Sequence, residues 1–192
     1  MPPKAKFTKE QIIFAAMDVV RQNGAEALTA RSLADALGSS PRPIFTVFES
    51  MEEVQSEVKT AVKKLYEGYM DKAMAGEKPF KGSGMGYICF AKNEPEFFRL
   101  LFMSKQSAEL NLGNVLNGID DYSRMILQSV QKTFGFGLET SSEIYLHLWI
   151  YTHGIASLIV TGVCNFTDEE ISYMLSQVCG AIVEKFKRED RV

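Results

Sequence analysis

Between Leu28 and Phe48 the chain reads LTARSLADALGSSPRPIFTVF, two short apolar patterns on either side of a glycine. Leu33, Ala34 and Leu37 share one face of a helix that Thr29 can cap and Gly38 stops. A second pattern follows with Ile44, Phe45 and Phe48. Two short helices joined by a tight, glycine-containing turn make a helix-turn-helix, whose second helix is shaped for a DNA major groove. Ala34 is small enough to let that helix cross closely. The same pattern occurs in many all-α proteins, so on its own it leaves the function open.

Helix signals continue on both sides. Thr8-Lys9-Glu10-Gln11 is a capping box, with Phe7 and Ile12 placed as a hydrophobic staple. It predicts a helix through Ile12, Ile13, Ala16, Val19 and Val20 that ends at Gly24. A second box, Ser50-Met51-Glu52-Glu53, opens a long helix through Val54, Val58, Val62, Leu65 and Tyr69. With no Pro/Gly/Ser-rich break nearby, the long helix itself joins a three-helix domain, residues 1–50, to a helical body, residues 51–192. Gly76 to Gly86 is the loosest stretch. Its GSGMG lacks the preceding strand and following Lys-Ser/Thr of a phosphate loop, which predicts a loop or a frayed helix start. Further helices are predicted at YICFAKN, at EFFRLLFM after Pro95, and from Leu110 to Phe134.

Ile144 to Cys164 contains no Asp, Glu, Lys or Arg and is long enough to span a bilayer. Against that stand His147, Thr152, His153, Gly154, Ser157, Thr161 and Gly162 within it, and flanks that are acidic where a membrane anchor would be basic. The remaining reading is a helix buried by its own domain on one face and by a second subunit on the other. Thr167-Asp168-Glu169-Glu170 is a third capping box, and Ile171, Met174, Leu175, Val178, Ile182 and Phe186 form a stripe behind it. Two such terminal helices can pair with their symmetry mates in a homodimer, with Gly154, Ser157 and Thr161 allowing close approach. The competing reading is a monomer whose last helices cap the core.

The chain has 192 residues, 46% of them hydrophobic, and a net charge of −3, which excludes a polybasic nucleic-acid coat. Through Leu65 there are nine Lys and Arg against eight Asp and Glu, and beyond it twelve against sixteen. Any DNA affinity therefore rests on where the charges sit. The arm from Met1 to Lys6 reads either as a frayed terminus or as a basic strand touching phosphates. Cys89, Cys164 and Cys179 lie far apart in apolar patterns, as buried reduced thiols do. No secretory leader pattern opens the sequence, which predicts a cytoplasmic protein. His147 and His153 are six apart and cannot share a helix face as metal ligands. Without GxSxG, HExxH, Walker or Rossmann signatures, no enzyme, metal or cofactor is predicted.

From Thr8 to Val54, the residues Thr8, Ala15, Ala16, Gly24, LTARSLADALG, Phe45, Phe48 and Ser50-x-Glu52-Glu53-Val54 resemble the N-terminal domain of TetR-family regulators. FAKNEPEFFRLLFM, with Trp149, His153 and Gly154, resembles the C-terminal domain of those TetR regulators named for a Trp-His-Gly motif. The resemblance implies a dimer that binds a palindromic operator and is released by a small-molecule effector, commonly as a repressor. Arg42 is then the base reader, its fork suited to guanine O6 and N7. Ser39 and Thr46 add base or phosphate contacts. Thr29, Arg31 and Ser40 hold phosphates, and Lys4 and Lys6 reach the flanks. Phe45 stands where relatives often carry a phosphate-binding Tyr, and Pro41 and Pro43 bracket Arg42. Phe98, Phe102, Met103, Tyr122, Met125, Trp149 and His153 are the candidate ligand-binding residues, and the absence of fixed charge among them implies an apolar effector. They are also what plain core is made of. The alternative function is a helical ligand- or protein-binding protein with a vestigial DNA-binding domain.

Overall fold

The computed structural model describes residues 6–104 and 122–189, and the fold is all-α, with no strand among the described residues. Two compact units result. The first comprises Met1–Glu67 and Glu94–Ser104, the second Gly68–Asn93 and Lys105–Val192. The division falls inside the long helix α3 (Met51–Met74).

In the first unit, α1 (Lys9–Asn23) starts at the predicted box: Thr8 Oγ1 accepts from the Gln11 N–H at 3.2 Å, and Gln11 Oε1 accepts from the Thr8 N–H at 2.9 Å. Ile12, Ala16, Val19 and Val20 are its buried face. Gly24 ends it at φ 82°, a conformation L side chains rarely adopt. α2 (Ala30–Ala36) is capped by Thr29. It closes on Gly38, where the Ser39 N–H donates to Ala34 O at 2.9 Å and the Gly38 N–H to Asp35 O at 3.0 Å.

The expected second helix of the pair is only a single 3-10 turn, Ile44–Thr46. Pro41 and Pro43 are the cause. Each lacks an N–H, and each disfavours the α conformation of the residue before it. Ile44 and Phe48 anchor the turn in the core, while Phe45, grouped with them in the sequence pattern, is 45% exposed. α3 then begins on Ser50, whose Oγ accepts from the Glu53 N–H at 3.3 Å, and it buries Val54, Val58, Val62 and Tyr66.

A distant segment completes this unit. α5 (Pro95–Phe98) and the π-helical turn Arg99–Met103 bring Phe97 and Phe98 into its core, both fully buried. Glu94 accepts from Arg21 Nε at 2.9 Å and Nη2 at 3.4 Å, and the Arg21 guanidinium lies 4.8 Å from the Phe97 ring.

In the second unit, α4 (Pro79–Asn93) takes in all but residues 76–78 of the stretch predicted to be loose, correcting that expectation from Pro79 onward. Its glycines serve packing. A Cβ at Gly82 would collide with the backbone carbonyl of Ala73, and one at Gly86 would come within 2.6 Å of the Ala73 Cβ. α6 (Ser123–Phe134) ends at Gly135, φ 80°, where the predicted helix ends; the portion expected from Leu110 lies outside the described residues. α7 (Leu138–Val160) packs on α4, α6 and α8 (Asp168–Glu189) through Ile144, Tyr145, Leu148, Ile155 and Ala156. The third capping box opens α8, Thr167 Oγ1 accepting from the Glu170 N–H at 3.2 Å. No described helix is long and apolar enough to cross a membrane.

Glycine-to-alanine exchanges should separate the two roles of helical glycine. Gly68 is exposed in α3 with open space around it, so Gly68→Ala should stabilise by about 0.5–1 kcal/mol. At Gly82 the collision with rigid backbone outweighs that gain, and Gly82→Ala should destabilise by about 1–3 kcal/mol. Urea unfolding of the two variants measures both signs.

Candidate functional site

The candidate DNA face is built on the turn after α2. Arg31 and Arg42 are exposed and engage in no ion pair or hydrogen bond among the described residues, leaving two guanidinium groups presented to solvent. Ser40, Phe45 and Thr46 are exposed beside Arg42 in sequence. Lys6 and Ser39 are brought together, Lys6 Nζ donating to Ser39 Oγ at 3.0 Å. The Thr46 hydroxyl donates to Pro43 O at 2.6 Å, so it meets a phosphate or base as an acceptor only while that bond stands. Thr29 Oγ1 accepts from the Ser32 N–H at 3.1 Å as the cap of α2. Lys4 lies outside the described residues.

The seven candidate ligand residues are divided between the units. Phe98, Phe102 and Met103 belong to the first, where Phe102 packs on Phe98 and edge-on against Tyr66 with centroids 5.2 and 5.0 Å away. Tyr122, Met125, Trp149 and His153 belong to the second. Met103 and Met125 are exposed, and the Tyr122 hydroxyl donates to Asp71 Oδ1 at 2.7 Å.

Trp149 and His153 form a definite pair. One turn apart on α7, their rings stack with centroids 5.3 Å apart and planes at 24°. Tyr87 of α4, absent from the candidate set, lies 2.9 Å from His153 Nδ1 through its hydroxyl oxygen. Trp149 Nε1–H is buried and meets no acceptor among the described residues. An orphaned donor of this kind costs about 1–3 kcal/mol.

No protein-family model matches the sequence, and no curated protein does. The fold, however, matches a solved structure, that of a TetR variant from Acinetobacter baumannii AYE in complex with minocycline. The match has a TM-score of 0.52 at 12% identity and covers 95% of this chain and 98% of that one. The chain has a TetR-like fold. At this identity the likeness concerns the fold alone.

Within that TetR-like fold, two residues outside the candidate sets become prominent. Phe45 is indistinguishable from core by spacing, yet its ring is presented to solvent. Tyr87 sits in an apolar run, and its hydroxyl is paired with His153. The cysteines correct another expectation: Cys89 is exposed, Cys164 and Cys179 are partly so, and all three are free. Among the described residues no three His, Cys, Asp or Glu side chains gather as a metal site.

Burial lowers the pKa of His153 below its ordinary 6.5. The unfolded chain therefore takes up a proton at a higher pH than the folded one. The His153 contribution to stability is complete above that value and is lost as pH falls from 6.5 toward the folded pKa. His153→Gln should flatten this part of the stability profile, measured by denaturant unfolding across the acidic range. An unchanged profile would assign the slope to other groups.

Proposed function

We propose that this chain is a TetR-family transcriptional regulator with a C-terminal domain of the Trp-His-Gly type. It binds a palindromic operator as a homodimer and is released by a small apolar effector. The observation that carries the reading is the turn after α2: buried Ile44 and Phe48 hold it, and its outer side presents Arg42 with no competing partner among the described residues. Two prolines stiffen that presentation. Arg31 and the Lys6–Ser39 pair supply the phosphate contacts that set register but carry no sequence information.

The dimer reading is supported by what α7 and α8 leave uncovered. Ile150 is 50% exposed and Tyr173 66%, and Glu143, His147, Gly154, Leu158 and Thr161 continue the exposed side of α7. Added Cβ atoms at Gly154 and Gly180 would meet nothing. A second copy laid across these two helices would form a four-helix interface and remove this apolar surface from water. The effector would act by favouring a separation of the two recognition turns that does not fit successive major grooves, so that operator affinity falls by linkage.

Selection of bound fragments from random DNA by the purified protein, at near-physiological salt, tests the central claim. Enrichment of a palindrome is expected. Arg42→Ala should then weaken binding to that fragment by about 1–3 kcal/mol while changing affinity for unrelated DNA much less. Absence of any enriched sequence would favour the alternative, a helical binding protein whose DNA-binding domain is vestigial.

Ile150→Glu should convert the dimer to monomer in sedimentation velocity, because two carboxylates would be buried across a symmetric contact. A variant that stays dimeric would remove α7 from the interface.

A further inference from the structure

Among the described residues, the polar groups near the middle of the second unit are accounted for, with one exception. His153 Nδ1 and Tyr87 Oη hold each other at 2.9 Å. Thr152 Oγ1 donates to Leu148 O at 2.7 Å, and Ser83 Oγ donates to Phe80 O at 2.7 Å. The exception is Trp149 Nε1–H, closed off from solvent and without an acceptor among the described residues. An indole nitrogen is a donor only, so neither a tautomer nor a rotating hydroxyl removes the deficit. The ring itself is only partly covered, with its nitrogen on the buried side.

We propose that Trp149 Nε1–H is the polar anchor of the effector site, and that it donates to the oxygen of an uncharged, otherwise apolar ligand such as a ketone, ester or ether. This rests on the ligand-responsive reading above and adds the atom that holds the effector and the group it must carry. Three ligand classes are ranked by that one donor. A neutral oxygen acceptor satisfies it. A hydrocarbon of the same shape leaves it unpaired, the situation that a site built around a hydrogen bond discriminates against most strongly. An anion would accept the bond, yet α7 carries no Lys or Arg along its length to balance the buried charge. Burial also disfavours the protonated form of His153, which is stacked on the same indole.

Trp149 is the single tryptophan, so the full-length protein gives one indole cross-peak in a proton–nitrogen correlation spectrum. The spectrum is titrated with acetophenone, ethylbenzene and benzoate, and then with cyclohexyl methyl ketone, ethylcyclohexane and cyclohexanecarboxylate. At least one ketone should move the cross-peak downfield and bind about tenfold more tightly than its hydrocarbon, the value of one hydrogen bond. The matching acid should bind more weakly than the ketone. In Trp149→Phe, checked for folding by its thermal transition, calorimetry should show the ketone advantage gone. If that variant does not fold, the downfield shift in the unaltered protein decides.

Ketones that leave the cross-peak in place, a hydrocarbon that binds as tightly, or an advantage that survives in Trp149→Phe would each overturn the proposal. Operator binding measured on the same preparation keeps the two readings apart. DNA binding without a ketone effect at Trp149 removes the anchor and leaves the regulator. Ketone anchoring without DNA binding removes the regulator and leaves the anchor.

Discussion

A helix without a formal charge from Ile144 to its end at Val160 cannot be left in water on all sides, and the second unit is arranged to cover it. Among the described residues, α4, α6 and α8 pack on α7. Of these, α4 also comes close to the end of α3 because Gly82 and Gly86 present no Cβ where Ala73 lies. The cover is incomplete in a patterned way. Ile144, Tyr145, Leu148, Thr152 and Ile155 are shut away, Trp149 and His153 are partly covered, and Ile150, Gly154 and Leu158 stand open. One helix thus carries a core face, a face with polar tips and an apolar outer face, each with a different part in the proposed function.

The sequence was most legible where a local rule and the global fold agree. The boxes at Thr8 and Thr167 close as side-chain chemistry requires, and the Gly38 turn forms because a left-handed residue must follow the α2 cap. Legibility failed where one local signal had two meanings. Glycines at 82, 84 and 86 lower helix propensity and so read as a loop, yet the close approach to Ala73 that Gly82 and Gly86 permit offsets the loss. Pro41 and Pro43 suit a first helical turn equally well on paper, but two within three residues leave no room for an α-helix to develop before Phe48. Apolar spacing also cannot tell an anchored ring from a presented one, which is why Phe45 and Phe48 looked alike.

The candidate sites were legible to different depths. Arg42 stands exposed, with no ion pair among the described residues, where the motif put it. The ligand set was chosen by residue type, and type alone does not distinguish the packed Phe98–Phe102–Tyr66 cluster from the Trp149 donor, which has no acceptor among the described residues. That distinction depends on which acceptors lie within reach, and Tyr87 and His153 are 66 residues apart in the chain.

The first unit closes on a segment made much later than the rest of it. Arg21 and Glu94 are 73 positions apart, and Phe97 and Phe98 fill a core otherwise assembled by residue 67. During synthesis, which delivers the N-terminus first, α1 and α2 are made well before the aromatic pair that seals them. Until that segment is made, Phe97 and Phe98 cannot fill this core and Arg21 lacks its Glu94 carboxylate. The first unit is therefore completed only once this later segment has been made.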